Sequence, residues 1–137
     1  MKRTVLNWLL LGIIAGAVVI VANVATDPAA VAAAGKTAVV TMTDQPPTFV
    51  PPKLTIKAGT TVEWKNTGKS LHDVTTDPSM AQNKDDVAMP AGAKPFDSGF
   101  MAPGATWSYT FTVPGHYTYV CIPHEKDHMI GHIMVKK

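Results

Sequence analysis

The sequence predicts an all-β domain, a Greek-key β-sandwich of about seven to eight short strands that follows an apolar N-terminal segment. Three observations indicate this fold class. Beyond residue 35 the apolar residues recur with a period of two, which is typical of strands with one buried face. Eleven prolines and ten glycines stand mostly between short apolar runs, where turns are expected. The same region shows no sustained apolar pattern of the kind that a long helix requires.

The N-terminal segment has the composition of an export signal. Lys2 and Arg3 precede an apolar run over residues 5–25, and a stretch of small residues follows. Cleavage after Ala34, with Ala32 as the second small residue, fits a signal peptide. The apolar run also approaches the ~20 residues that span a bilayer, so an uncleaved membrane anchor is the alternative.

Both alternatives predict the same organisation and destination. Residues 1–34 are a signal peptide or an N-terminal membrane anchor, and residues 35–137 are a single folded domain. We expect this domain to lie outside the cytoplasm, in the periplasm or another extracytoplasmic space, with a possible membrane tether through residues 5–25.

The strands can be assigned in order from the alternation and the turns. They are predicted at residues 37–43, 53–57, 61–66, 71–75, 106–112, 116–121 and 130–136. The turn Val113-Pro114-Gly115 predicts that the fifth and sixth of these strands form a hairpin. Residues 77–95 contain three prolines and a glycine, and we expect an irregular segment there with at most one helical turn near 81–87.

Charge and cysteine content exclude several classes of protein. The formal net charge is +2 and 16% of the residues are charged, which gives no reason to expect nucleic acid as a partner. Cys121 is the one cysteine in the sequence. An internal disulfide is therefore impossible, and zinc ribbons and cysteine-rich iron–sulfur sites are excluded on the same count.

Four side chains form a candidate metal site. Cys121, His124 and Met129 fall within one predicted loop between two strands, where a thiolate, an imidazole and a thioether can surround a single point. His72 stands far upstream in a predicted strand, and it can supply a second imidazole. Two imidazoles, one thiolate and a weak axial thioether are the ligand set that suits copper in both of its common oxidation states.

The domain resembles the cupredoxins, most closely the plastocyanin and pseudoazurin branch. The resemblance covers about residues 37–137 and rests on Cys-x2-His-x4-Met from Cys121, on the stretch Lys57–Asn66 and on Ala102-Pro103-Gly104. It implies one type 1 copper ion, with His72 and His124 binding through Nδ1 and Met129 as the long axial ligand. It also implies a monomeric one-electron carrier rather than an enzyme.

Two positions depart from the family pattern. Asp73 stands where the family usually has an asparagine that ties the two ligand loops together. Its carboxylate is predicted to favour the oxidised ion and lower the midpoint potential, while its backbone N–H can still donate to the sulfur of Cys121. Val120 replaces a tyrosine that often serves as a remote electron port, so the edge of His124 is the expected port.

The expected docking surface is an apolar patch around the edge of His124. Leu71, Ala102, Pro103 and Pro123 are predicted to form it, and Met101 could add to it. Such a patch suits brief docking of redox proteins of the cytochrome, oxidase, reductase or photosystem type. A copper-binding or copper-delivery protein without an electron-transfer role is the alternative function.

The remaining histidines lie outside the family pattern. His128 is interpreted as a surface residue, with a titrating group near the docking surface or a substitute ligand as alternatives. His132 is predicted to point to solvent, and His116 is interpreted as structural. Trp64 and Trp107 are expected in the core or on a sheet face rather than as electron relays.

Overall fold

The computed structural model describes residues 35–137, and the predicted export segment, residues 1–34, lies outside them. The strands are β1 (Thr37–Asp44), β2 (Pro47–Val50), β3 (Lys53–Lys57), β4 (Thr60–Asn66), β5 (Thr106–Phe111), β6 (Gly115–Val120) and β7 (Ile130–Lys136). Two short 3₁₀ helices span Lys84–Asp86 and Ile122–Asp127. Among these described residues, no helix is long and apolar enough to cross a membrane.

The strands form two sheets, which confirms the predicted all-β sandwich. One sheet has the order β2-β1-β4-β5 and the other has the order β3-β7-β6. The pairs β1/β4 and β3/β7 are parallel, and the remaining pairs are antiparallel. Parallel strands cannot be joined by a tight turn, so each of these two pairs brings together strands that are distant in the sequence.

The inward faces of both sheets meet in an aromatic core. Trp64 from β4 and Tyr119 from β6 are fully buried, and their rings meet edge to face at 5.4 Å. Phe49 contacts the same tyrosine at 4.7 Å. The Tyr119 ring passes over Gly131, where a Cβ would collide with the ring carbon Cζ. The prediction of Trp64 as a core residue is confirmed, and Trp107 is half-buried beside it.

The predicted hairpin between the fifth and sixth strands is wrong. β5 pairs with β4 in one sheet, and β6 pairs with β7 in the other. The turn at residues 113–115 therefore carries the chain across the sandwich. Alternation alone could not distinguish the two arrangements, because each strand buries one face in the same core.

The predicted strand at residues 71–75 is also wrong. His72 forms an isolated bridge with Met101, and Thr75 bridges both Asp97 and Val120. Residues 72–76 are all buried, because this segment lies between other parts of the chain instead of on one face of a sheet.

One strand was not predicted. β2 begins at Pro47 and is an edge strand, where a proline costs no ladder hydrogen bond.

The topology brings several strand ends to one pole of the sandwich, which we call the site pole. Asp44 at the end of β1 bonds to His72, and His72 lies against Cys121, which follows the end of β6. The backbone N–H of Cys121 donates to the carbonyl of Met129, just before β7 starts. Residues from three distant parts of the chain therefore converge there.

Candidate metal centre

The loop from Cys121 to Met129 is closed by its own backbone hydrogen bonds. The N–H of His124 donates to the Cys121 carbonyl at 3.0 Å, and the N–H of Met129 donates to the His124 carbonyl at 3.2 Å. Pro123 stands at the start of the 3₁₀ helix, where its missing N–H costs nothing. His128 ends that helix in the left-handed conformation, with φ of 59°. These contacts support the loop from within.

Three of the four predicted ligands meet at this loop. The Nδ1 atoms of His72 and His124 lie 3.5 Å and 3.4 Å from the sulfur of Cys121. The donor atoms of these three residues all lie within 4.8 Å of one another. Cys121 and His72 are fully buried, while His124 is half-buried.

The donor spacing fits a bound metal ion. Metal–sulfur and metal–imidazole bonds of about 2.3 and 2.0 Å, at angles of about 110–120°, give sulfur–nitrogen separations of about 3.5–3.7 Å. The two observed separations are close to this range. A buried thiolate between two imidazoles is also a donor set of the softness that copper prefers.

Met129 is brought into the same region. Its side chain is fully buried and belongs to the same apolar cluster as Cys121. Its place in the loop is the one that the spacing predicted, and its role as the fourth ligand remains a prediction.

Asp44 orients the His72 ring. Its Oδ1 lies 2.9 Å from Nε2 of His72, so this nitrogen is engaged and Nδ1 is left to face Cys121. The second oxygen, Oδ2, accepts the backbone N–H groups of Lys69 and Ser70. The Lys69 bond and then the contact with His72 lower the pKa of the Asp44 carboxyl. A carboxylate on the far nitrogen of a metal-binding imidazole fixes its tautomer and direction.

Asn66 holds the chain around His72. Its buried amide donates to the carbonyls of Ser70 at 2.8 Å and Met101 at 2.9 Å. Its Oδ1 accepts the backbone N–H of Gly68 at 3.0 Å. Since the backbone of Met101 in turn bridges that of His72, one side chain fixes both segments that flank this imidazole.

Asp73 links the two ligand segments. Its Oδ1 accepts the backbone N–H of Ile122 at 2.7 Å, next to Cys121. Only 1% of the residue is exposed. Burial raises the pKa of this carboxyl to about 6, against the smaller effect of the Ile122 bond.

Glu125 anchors the irregular segment to the ligand loop. Its two oxygens accept the backbone N–H groups of Gln82 and Asn83, each at 2.7 Å. The residue is 4% exposed. Sequence reasoning missed this carboxylate, although an acidic residue between two predicted ligands was the available signal.

The titration of the site follows from its burial. Burial is the main cause that raises the pKa of the Cys121 thiol to about 12, and a backbone hydrogen bond from Asp73 acts in the opposite direction. The pKa of His124 is lowered, first by burial and then by the nearby His72. His124 is therefore a neutral imidazole at neutral pH, ready to bind a metal, whereas Cys121 must lose a proton.

The surface around His124 agrees in part with the predicted apolar patch. Leu71 is 51% exposed, and Ala102, Pro103 and Pro123 are exposed as well. Met101 is buried and does not contribute. Phe100, which sequence reasoning missed, is 67% exposed and adjoins the bridge to His72.

The other singled-out positions have simpler surroundings. His128 is exposed, as interpreted, and Val120 is fully buried. His132 is half-buried rather than fully directed to solvent, and its ring stacks on that of His116, which is exposed.

The fold and the donor set together define a class, the single-domain β-sandwich with one His–Cys–His metal centre. A family model described as "Copper binding proteins, plastocyanin/azurin family" matches residues 36–136. The chain belongs to this family, and copper is its cofactor.

Curated relatives include two plastocyanins. The chloroplastic plastocyanin of Chlamydomonas reinhardtii is 37% identical over 92 residues, covering 64% of this chain and 58% of that protein. The plastocyanin of Nostoc punctiforme is 37% identical over 92 residues, with 64% of each chain covered. The chain thus spans about three-fifths of the length of these curated relatives.

Solved structures show the same architecture. A reduced variant of amicyanin is 27% identical, with a TM-score of 0.56 over 73% of this chain and 82% of that one. The oxidised plastocyanin of Dryopteris crassirhizoma has a TM-score of 0.55 and 24% identity over 72% and 100% of the two chains, which supports the fold alone. The recognition of a cupredoxin from the sequence is therefore confirmed.

Proposed function

We propose that this protein is a type 1 copper protein that carries one electron at a time between redox proteins outside the cytoplasm. Its ligands are His72, Cys121, His124 and Met129. The observation that carries the proposal is the buried Cys121 sulfur with two imidazole Nδ1 atoms at 3.4 and 3.5 Å. When bound, copper supplies the one-electron couple between its +1 and +2 states.

The protein holds the side chains of the proposed ligands in fixed positions. His72 is held through Asp44, and the segments around it are held through Asn66. The loop with Cys121 and His124 is held by its own backbone bonds. A site that is fixed in this way cannot adapt to either oxidation state, so little reorganisation accompanies electron transfer.

Burial favours an electron carrier over copper delivery. Cys121, His72 and Met129 are fully buried, so three of the four proposed ligands are closed to an exchanging metal carrier. The edge of His124 is the part of the site that reaches the surface. Electrons can pass through this edge, and no substrate-binding step or turnover is needed.

The absorption spectrum tests the ligand set. The purified protein with one equivalent of Cu(II) is expected to show a strong thiolate-to-copper charge-transfer band, which Cys121→Ser abolishes. Met129→Leu keeps the band and shifts the midpoint potential, because the axial ligand tunes the potential. Met101→Leu is the matched control, since Met101 is also buried beside the site, and it should leave the potential unchanged. A colourless Cu(II)-treated protein would refute the proposal.

The docking surface is the apolar patch of Leu71, Phe100, Ala102, Pro103 and Pro123. Partners of the cytochrome, oxidase, reductase or photosystem type would contact it briefly, and the carrier would act as a monomer. Leu71→Glu is expected to slow electron self-exchange by about tenfold or more, because two charged patches then repel each other. Val39→Glu is the control, as Val39 on β1 is equally exposed at 50%. Equal rates in both variants would contradict this surface.

The N-terminal sequence supports the location. Residues 1–34 combine basic residues, an apolar run over residues 5–25 and small residues, as an exported or anchored protein requires. Cell fractionation with mass determination of the mature chain tests it. A mature mass that begins near residue 35 indicates cleavage, an intact membrane-bound chain indicates a tether, and a chain in the cytoplasm would contradict the proposal.

A further inference from the structure

Two histidines form a pair on the outer face of the β3-β7-β6 sheet. The rings of His116 on β6 and His132 on β7 are 5.5 Å apart and nearly parallel, with 10° between their planes. The strand register places His116 directly opposite Met134, and places Thr118 opposite His132. The two imidazoles are thus diagonal neighbours on one face, and a thioether stands beside them.

The second nitrogen of His132 is available for a ligand. Its Nδ1 lies 3.3 Å from the hydroxyl oxygen of Thr118, which leaves Nε2 without a partner among the described residues. Burial lowers the pKa of His132, and the charges of His116 and Lys53 lower it further. At neutral pH the ring is therefore uncharged, and in the tautomer that donates Nδ1–H to Thr118 it presents a lone pair at Nε2.

Open space adjoins the pair. A surface groove of about 360 Å³ is lined by Lys53, Leu54, Thr55, His116, His132 and Met134. Two bonds of about 2.0 Å to one ion require nitrogens about 3–4 Å apart, so one of the two nearly parallel rings must turn before both can bind the same ion. His116 is exposed and free to rotate towards the groove, so the half-buried His132 can serve as the fixed member of the pair.

We propose that His116 and His132 bind a second transition-metal ion at the surface, with the Met134 thioether as an adjoining ligand. Paired imidazoles suit divalent copper, nickel and zinc, and copper binds most tightly to a given nitrogen site. This site is separate from the His72–Cys121 centre, because it lies on the outer sheet face rather than at the site pole. It does not depend on the proposed electron-transfer function.

The charge of Lys53 provides a test of whether a cation binds at the histidine pair. It lies directly opposite His132 across the β3/β7 pair, so its ammonium group opposes a bound cation. Lys53→Gln is expected to tighten the second site several-fold, whereas Lys57→Gln, at the other end of the same strand, should have little effect. A structural pair of stacked rings would not respond to this change in charge.

The experiment uses the protein already loaded with one equivalent of copper and adds a second equivalent of Cu(II). Electron paramagnetic resonance is expected to show a second, nitrogen-ligated copper signal without thiolate character. His116→Gln and His132→Gln should each weaken binding of this second ion by about tenfold or more. The charge-transfer band of the first centre reports that each variant is folded.

His128→Asn is the matched control, since His128 is an exposed histidine outside the pair and asparagine tolerates its left-handed backbone. The control should bind the second ion as the wild type does. Either of two results would overturn the proposal: wild-type binding no tighter than that of the His116→Gln/His132→Gln double variant, or an equal loss in His128→Asn.

Discussion

The two halves of the metal centre are built in different ways. The loop Cys121–Met129 is held by hydrogen bonds within itself, so three of the proposed ligands are positioned by nine consecutive residues. His72 is placed by residues distant in sequence, with the Asp44 side chain 28 residues away on one side and the backbone of Met101 on the other. The comparison shows that the ligand loop depends on local hydrogen bonds, whereas the remaining ligand, His72, depends on tertiary contacts.

Asn66→Ala should have the largest effect, because it removes the hydrogen bonds that support the backbone around His72. Three hydrogen bonds of a buried amide are lost, and the Ser70 carbonyl and the Gly68 N–H lose these partners, while the Met101 carbonyl keeps the N–H of His72. We expect the free energy of unfolding to fall by about 3 kcal/mol or more in urea titrations. Asn83→Ala, which removes a single capping bond at an exposed site, should cost only about 1 kcal/mol. Equal losses in the two variants would show that the scaffold is not needed.

Glu125→Gln separates the ligand loop from the irregular segment that it anchors. A glutamine has one acceptor oxygen, so one of the two N–H groups of Gln82 and Asn83 loses its partner. The expected loss of stability is about 1–2 kcal/mol, measured by chemical denaturation. Copper affinity should change little, because the loop keeps its own bonds. A large loss of affinity would mean that the loop depends on outside support after all.

Asp44→Asn is a smaller change that tests the contact between Asp44 and the His72 ring. The amide can still contact Nε2 of His72, but it lacks the charge that favours one ring orientation. Copper affinity, measured by competition with a chelator, should fall by about tenfold. Asp77→Asn is the control, since Asp77 is a half-buried carboxylate whose pKa is lowered by its bonds to Ser79. Similar affinities for both variants would exclude a role for Asp44.

Asp73→Asn should have the smallest effect, because its side-chain oxygen can keep the bond to Ile122. Burial raises the pKa of Asp73 from its ordinary 3.8 to about 6, so the folded protein holds this proton more tightly than the unfolded chain does. In the copper-free wild type the contribution of Asp73 to stability should therefore be fully present below about pH 4 and be lost as the pH rises through about 6. The variant lacks this loss, which unfolding curves at pH 4 and pH 7 will measure.

The same substitution tests the effect of the carboxylate on copper. Asp73 is ionised at pH 7 because its pKa is about 6, and its negative charge should stabilise the oxidised ion. The midpoint potential of Asp73→Asn is therefore expected to be higher than that of the wild type. An unchanged or lower potential in voltammetry would reject this explanation.

The sequence predicted the parts of the molecule that depend on local pattern. Cys121, His124 and Met129 were predicted as ligands from their spacing, and most of the strands from alternation, with the last strand placed at residues 130–136 as observed. The pairing of β5 with β4 and of β6 with β7 was not predicted, because alternation does not identify the neighbour of a strand. Asp44, Asn66 and Glu125 were missed for a related reason, since their key bonds join residues 28 to 43 positions apart.

The direction of β1 determines how a membrane-attached form of the protein would be oriented. Because Asp44 at the end of β1 contacts His72, its first residue, Thr37, lies about 23 Å away, at the opposite end of the sandwich. A chain held in a bilayer through residues 5–25 would present its copper end outward, towards arriving partners. The eleven residues 26–36, at most about 38 Å when extended, would then limit how far the domain could reach.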